Sequence, residues 1–325
     1  VKRHSFPTRR SSDLLTVANP ARAAGLAEVA SRIAQSRRTG LIVLVIARPR
    51  QNVEVEPPTS PSEWPALAAA LEEARRAGVP LGWVVRAADD VGKAIRLTAA
   101  ALGASLVVLG WRGTDPKHSA SLSGVLEDPI CDVAVVSRRT VGPLERILVS
   151  VGSGSHASLA ARLAAEVAGG AAPSITAMHV VSAGRSPGRV FATSQRHFQR
   201  MLGDEVDLAN WQRKTVVADD TAEAILGELA SGYDAILMGT SREALIDRLS
   251  FGDVPQRVSE ESRATVIVAR RRMHVLTRTF RGSWQALTDL LPGLSEQERD
   301  EVRDSIAQGA RSRVDFFVMI TLAAM

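Results

Sequence analysis

One stretch of this sequence occurs twice, and the distance between its copies limits the folds available to the chain. Ala-Ala-Asp-Asp-Val-Gly-Lys-Ala-Ile at residues 87–95 recurs 130 positions later as Val-Ala-Asp-Asp-Thr-Ala-Glu-Ala-Ile at residues 217–225. Each copy then runs through a helical pattern into an apolar stretch that ends in glycine, at residues 106–110 and 235–239. Solenoid repeats are about 20–50 residues long, whereas this spacing matches a whole small domain. The chain is therefore predicted to contain two copies of one fold.

Both copies alternate apolar runs with stretches of helical periodicity. Runs such as residues 41–47 and 132–137 lack polar alternation, which is typical of strands covered on both faces, as in parallel sheets. Five strands and four helices per copy predict an α/β fold of two tandem doubly wound five-stranded parallel sheets, with ligands beyond the strand carboxyl ends. We assign copy one to residues 14–140 and copy two to residues 146–271.

The edges of the two predicted sheets suggest how the copies associate. A fifth strand at a sheet edge exposes unpaired backbone groups, so we expect intramolecular pairing of the copies through these edges, or a homodimer. One continuous mixed sheet, or two dissimilar halves, would contradict the two-copy interpretation.

Composition excludes several classes of function. The 40 Lys and Arg exceed the 35 Asp and Glu by five, and much of the excess lies in the first dozen residues and after residue 263. No basic face with a reading motif emerges, so we expect no nucleic-acid partner. The single cysteine, Cys131, allows no intrachain disulfide and precedes a buried-looking strand, so we expect a core thiol and not a nucleophile.

The first residues have a different character from the rest. Residues 5–14 resemble the translation of a common sequencing adapter, and no apolar core of a signal peptide follows the basic residues. We expect residues 1–13 to be a non-native or disordered leader.

The order of elements, together with the residues after each fourth strand, resembles the universal stress protein family over residues 14–140 and 146–271. Nucleotide-binding members of that family carry Gly-x2-Gly-x9-Gly-Ser/Thr at this point. Glycines let the backbone approach phosphates, and N–H groups at a helix start donate to them. The resemblance implies ATP or another adenine nucleotide as the ligand of an intact site.

Copy two keeps the spacing of this motif but has different residues at two of its positions. Gly239 and Gly252 occupy the first and third glycine positions, Arg242 replaces the second glycine, and Asp253 replaces the hydroxyl residue. A carboxylate repels a phosphate unless a cation bridges them, whereas Arg242 is suited to hold an anion or to pair with Asp253.

The turn after the first strand of copy two also departs from the family. Family members tend to have an acidic residue there, but this chain has Gly152, Ser153 and Gly154. A glycine-rich turn leaves room for an anion near the following helix. His156 starts that helix, and we expect it to be solvated.

Copy one departs in another way. Gly110 and Gly113 keep the first glycine pair, but Gly124 comes after ten residues instead of nine, and Val125 follows it. Residues 18–20, Ala-Asn-Pro, stand where the family has its acidic residue. In both copies a nucleotide site and a purely structural role of the glycines, which end strands and turn the chain, remain open.

No catalytic set or metal site emerges from the remaining polar residues. The histidines are scattered without metal-ligand spacing. The aspartate pairs at residues 89–90 and 219–220 each precede a helical pattern, which favours helix capping over acid–base catalysis, and Asp220 with Glu223 matches a capping box.

The remaining residues, 272–325, are predicted to be a basic linker, amphipathic helices and the start of a membrane span. Residues 316–325 are uncharged, but a span needs about 20 residues. Arg311 and Arg313 precede the run, which places the copies in the cytoplasm by the positive-inside rule. Residues 294–317 resemble the start of an uncharacterised bacterial multi-span family, implying an inner-membrane protein. The alternative is a core helix packed on copy two.

These observations favour a non-enzymatic tandem regulatory module, the cytoplasmic part of a membrane protein, with degenerate nucleotide or anion sites. The alternatives are a soluble ATP-binding stress protein and an interaction scaffold without a small ligand.

Restoring the family motif in copy two tests whether its geometry persists. Replacing Arg242→Gly together with Asp253→Ser removes a carboxylate from the expected phosphate position, so ATP affinity should rise at least about tenfold. Isothermal titration with ATP measures the change, and unchanged affinity would count against the family geometry.

Overall fold

The computed structural model describes residues 12–47, 60–111, 123–137, 142, 144–152, 155–168, 174–182, 187–202, 206–240 and 253–272. The predicted linker and apolar run after residue 272 lie outside the described residues.

Ten strands and seven helices, with one 3₁₀ turn at Pro61–Glu63, make up the described fold. The strands are β1 Ser12–Val17, β2 Gly40–Ala47, β3 Leu81–Ala87, β4 Leu106–Gly110, β5 Asp132–Ser137, β6 Arg146–Ser150, β7 Ser174–Val181, β8 Gln212–Val217, β9 Ala235–Gly239 and β10 Thr265–Arg270. The helices are α1 Pro20–Arg37, α2 Pro65–Arg76, α3 Val91–Leu102, α4 Ser155–Ala168, α5 Pro187–Leu202, α6 Thr221–Leu229 and α7 Asp253–Glu261.

The strands form one sheet in the order β3-β2-β1-β4-β5-β10-β9-β6-β7-β8. Within each copy all neighbouring strands are parallel, and the order reverses between β1 and β4 and between β6 and β9. This is the doubly wound α/β arrangement predicted from the sequence, in two five-stranded units.

The two units share a single antiparallel contact, between β5 and β10, which runs from Val266 opposite Ser137 to Arg270 opposite Val133. The sheet is therefore continuous and mixed, which contradicts the expectation of two separate parallel sheets. The correction is limited to this junction, because fifth-strand edges that meet side by side complete their backbone hydrogen bonds with each other. The strand order within each half is the same.

Two apolar layers cover the faces of the sheet. One contains α1, α2, α4 and α5, and the other contains α3, α6 and α7. Fully buried members are mainly aliphatic, such as Leu15, Ile33 and Leu148, and Phe198 is the largest. Both faces are therefore withdrawn from water, as the unbroken apolar runs predicted.

One boundary differs from the prediction. β1 begins at Ser12, and Asp13, assigned to the leader, is buried with its carboxylate accepting from Thr39 at 3.0 Å and Ser105 at 2.7 Å. Helix α5 begins at Pro187, because proline suits the first helical position, where no N–H is needed.

Among the described residues, no helix is long and apolar enough to cross a membrane.

The second aspartate of each repeated pair caps a helix, as predicted. Asp90 accepts from the Lys93 N–H at 2.8 Å at the start of α3, and Asp220 accepts from the Glu223 N–H at 2.9 Å. The Glu223 N–H and Arg257 lower the pKa of Asp220.

Removing one of these caps gives a stability test. Asp90→Ala leaves a helix N–H without its acceptor and should lower the free energy of unfolding by about 1 kcal/mol. Urea unfolding measures the loss. Asp89→Ala is the matched control and should change little, so equal losses would contradict the capping assignment.

Cys131 lies against the core, as expected for an inert thiol. Its side chain is buried, and burial, with Asp132 and Asp13 nearby, raises the pKa of the thiol to about 12. Iodoacetamide should therefore alkylate the native chain at pH 7.5 about a thousandfold more slowly than the urea-unfolded chain. Mass spectrometry follows the reaction, and similar rates in both states would contradict this burial.

Candidate functional site

Helix α4 comes very close to the end of β9 in copy two. Gly239 ends β9, and a Cβ placed there would lie 2.8 Å from the backbone carbonyl carbon of His156 in α4. No larger residue fits without moving the helix. Gly239 is thus required for close packing of the helix start on the strand end, at the edge where doubly wound sheets bind ligands.

A buried arginine lies at the same place. Arg270 ends β10 and is only 4% exposed. Its Nη1 donates to the Thr240 hydroxyl at 3.2 Å and lies 3.3 Å from His156 Nε2. The strand pairing explains the position, since Ala269 lies opposite Gly239 and its carbonyl accepts from the Thr240 N–H at 3.1 Å.

His156 is buried at 8% exposure, so the expectation of a solvated histidine was wrong. Its Nδ1 accepts from the Arg271 N–H at 3.1 Å, which assigns the proton of the neutral ring to Nε2. Nε2 then faces the Arg270 guanidinium with an N–H of its own. Two donors this close together at the start of a helix favour an anion beside them that accepts from both.

The residues after β10 are fixed to α4 and to copy one. The Arg271 guanidinium donates to the Ser158 hydroxyl at 2.9 Å. The Arg272 N–H donates to Asp132 of copy one at 2.9 Å, and the other oxygen of that carboxylate accepts from Arg162 at 2.7 Å. These bonds hold the end of β10, and with it Arg270, beside the start of α4.

Only part of the predicted motif of copy two can be compared with the structure. Gly152 follows β6, and a Cβ there would meet nothing within 4 Å, so the turn is open. Asp253 is the exposed first residue of α7, where a carboxylate interacts favourably with the helix dipole. The other predicted residues, Ser153, Gly154, Arg242 and Gly252, lie outside the described residues.

In copy one, the backbone donors at the corresponding helix start are bonded to atoms of the chain itself. Pro20 has no N–H, the Asn19 side chain accepts from the Ala21 N–H at 3.0 Å, and the Arg22 N–H bonds to the Asn19 carbonyl. The Arg22 guanidinium then donates to the carbonyl of Trp111 at 2.8 Å. These contacts use donors that a phosphate would otherwise engage.

The predicted glycines of copy one have mixed outcomes. A Cβ at Gly110 would lie 2.8 Å from a methyl group of Leu26, so this glycine also serves helix packing. Gly124 belongs to a short helical turn at residues 123–126 and has open space around it. Gly113 lies outside the described residues.

A hollow lies at the end of β7, with a volume of about 210 Å³ and with His179, Ser182 and Thr193 in its lining. His179 stacks on His197 of α5 with ring centroids 4.0 Å apart, and its Nδ1 lies 3.0 Å from the Ser194 hydroxyl. The sequence gave no sign of this pair, because its members are on a strand and on the helix after it. Among the described residues, no group of three or more His, Cys, Asp or Glu could hold a metal ion.

Comparison with known proteins agrees with this fold. Residues 143–270 match the universal stress protein family. A universal stress protein from Archaeoglobus fulgidus DSM 4304 aligns with a TM-score of 0.53 at 17% identity, covering 80% of this chain and 96% of that one. A functionally unknown protein from Pseudomonas aeruginosa PAO1 aligns with a TM-score of 0.54 at 18% identity, covering 79% and 91%. No curated protein matches the chain.

These identities are low enough that the structural matches speak for the fold alone. They extend over both copies, whereas the family match covers copy two. Residues 143–270 of this chain are a universal stress protein domain.

Proposed function

We propose that the chain is a non-enzymatic regulatory module in which copy two binds a phosphate-bearing ligand and copy one does not. The leading candidate is an adenine nucleotide such as ATP. The observation that carries the proposal is the buried Arg270 guanidinium, which lies with Thr240 and His156 at the carboxyl ends of β9 and β10.

The chemistry of this cluster suits a phosphate. A guanidinium offers a planar set of N–H donors that matches phosphate oxygens, and its charge is unaffected at any physiological pH. Burial strengthens such an interaction because little water competes with it. The start of α4 adds backbone donors and the positive end of the helix dipole, while the open turn at Gly152 leaves room for the ligand.

Among the described residues of copy one there is no equivalent cluster, because the corresponding groups are different or already bonded within the copy. Ser137 holds the position of Arg270 in β5, and Arg22 is engaged with the Trp111 carbonyl. Proline at the first position of α1 removes a donor. We therefore propose one ligand per chain and a mainly structural role for copy one.

These groups suit a regulatory role better than a catalytic role. Thr240 accepts from a guanidinium, which does not activate a hydroxyl as a nucleophile, and burial raises the pKa of the Cys131 thiol. A ligand that bonds to both β10 and α4 would instead favour one arrangement of these elements. Attachment to a membrane through residues 316–325 stays a prediction from the sequence.

Titration of the full chain with ATP and with inorganic tripolyphosphate tests the assignment. Arg270→Met removes the side chain proposed to bind the phosphate and should weaken binding of both compounds at least about tenfold. Arg22→Met changes the arginine near the strand ends of copy one and should leave both affinities unchanged.

Isothermal titration calorimetry measures the affinities, and thermal unfolding identifies any variant that has lost its fold. Equal effects of the two substitutions, or binding by the Arg270→Met chain as tight as by the unchanged protein, would contradict a site in copy two. If neither compound binds the unchanged protein, the interaction scaffold without a ligand is the better description.

A further inference from the structure

The backbone of the junction between the copies is symmetric. β5 pairs with β4 from Asp132 opposite Leu106, and β10 pairs with β9 from Thr265 opposite Ala235, so Asp132 and Thr265 hold equivalent positions. Val135 is then equivalent to Val268, and these two residues lie opposite each other in the antiparallel contact. A contact centred on equivalent residues is self-complementary. The backbone alone would therefore allow copy one to pair with a second copy one equally well.

The helices beside the junction can be matched in the same way. Leu14 of β1 pairs with the second residue of β4, and Leu148 of β6 pairs with the second residue of β9. Leu14 and Leu148 are thus equivalent, and each residue of α1 corresponds to the residue of α4 that lies 134 positions later. The half-buried positions 28 and 32 of α1 then correspond to the half-buried positions 162 and 166 of α4.

These equivalent positions carry opposite charges. Glu28 is followed by Arg32 in α1, whereas Arg162 is followed by Glu166 in α4. Each helix has an ion pair between its two positions, at 3.3 Å in α1 and 3.9 Å in α4.

The charges of α4 find their partners in copy one. Glu166 forms an ion pair with Arg37, with a carboxylate oxygen 2.9 Å from a guanidinium nitrogen, and Arg162 donates to Asp132 at 2.7 Å. The side chains of Arg37 and Glu166 are 14% and 13% exposed. Burial raises the pKa of the Glu166 carboxyl, and Arg37 opposes that rise. Both charges are therefore largely removed from water, where an opposing like charge is costly.

Pairing of copy one with another copy one would reverse this match. Arg32 would take the place of Glu166 and face Arg37, and Glu28 would take the place of Arg162 and face Asp132. Each contact would occur twice in such a symmetric pair, so four like-charge contacts would replace the two ion pairs. In a pair of two copies two, Arg162 would face Thr265, the equivalent of Asp132, and would lose its carboxylate partner across the junction.

We infer that the half-buried charges between α1 and α4 specify the partner at this junction, so that copy one pairs with copy two and not with a second copy of itself. The interaction surface consists of Arg37 and Asp132 on copy one and of Arg162 and Glu166 on copy two. Buried ion pairs often contribute little net stability and act by penalising wrong partners. This inference does not depend on ligand binding by copy two.

A charge exchange within α4 tests the inference in the full chain. Arg162→Glu together with Glu166→Arg gives α4 the charges of α1 without altering composition or net charge. Arg37 then meets an arginine and Asp132 meets a glutamate. Hydrogen exchange of the amides of β5 and β10, followed by mass spectrometry, should become at least about tenfold faster. The amides of β2, within copy one, should keep their protection.

The control makes the same exchange in an exposed pair. Glu72 and Arg76 of α2 lie four residues apart with side chains 59% and 66% exposed, and Glu72→Arg with Arg76→Glu should leave β5 and β10 unchanged. If the α4 exchange behaves like this control, the charges do not specify the junction and the inference fails.

A neutral variant covers the case in which the exchanged chain does not fold. Arg37→Met and Asp132→Asn, made together with Arg162→Met and Glu166→Gln, remove the attraction without adding repulsion and leave no charge of these two pairs without its partner. Its β5 and β10 amides should exchange at the same rate as in the unchanged protein, or at most a few-fold faster. A loss of protection of tenfold or more in this variant would mean that packing, and not charge matching, specifies the contact, which would overturn the inference.

Discussion

The antiparallel contact between β5 and β10 is the interaction on which the rest of this structure depends. It joins two parallel units into one sheet and satisfies the two strand edges that would otherwise be open. Because the strands run in opposite directions, the carboxyl end of β10 lies beside the amino end of β5. Asp132 of copy one can therefore bond to the Arg272 N–H and to Arg162, and so helps to hold the candidate site of copy two.

The two copies have the same backbone arrangement but differ in the polar groups around it. Gly239 and Gly110 both allow a helix to approach the end of a central strand. Around Gly239 the neighbouring side chains converge as donors, with Arg270 beside the start of α4. Around Gly110 the Arg22 guanidinium already donates to a backbone carbonyl of the chain, so it is not presented to a ligand. The same backbone geometry thus carries the proposed ligand site in one copy and a helix start bonded to the chain itself in the other.

The sequence predicted the fold well where its signals are local. The bounds of β5 agree to the residue with the apolar run at residues 132–137, and Asp90 and Asp220 cap helices as the repeated aspartate pairs indicated. Hydrophobic periodicity and helix capping depend on neighbours in the chain, so a single sequence contains them. Alternation of strands and helices was enough to predict the parallel order within each copy.

The candidate site was harder to predict because its contacts are distant in sequence. Arg270 starts a run of three arginines, a pattern typical of exposed chain, and only the pairing of β10 beside β9 brings its side chain to Thr240. His156 looked solvated because it starts a helix, but its Nδ1 bonds to a backbone N–H 115 positions away. The junction was expected as edge-to-edge docking, and local patterns gave no sign that backbone pairing would make the sheet continuous.

The central claim is that one chain with two copies of a fold has a single phosphate site, in copy two. Equilibrium dialysis of the full chain against labelled ATP counts the sites directly. This account predicts one ATP retained per chain and its displacement by excess tripolyphosphate. Two ATP molecules per chain, or no retention at millimolar ATP, would contradict it.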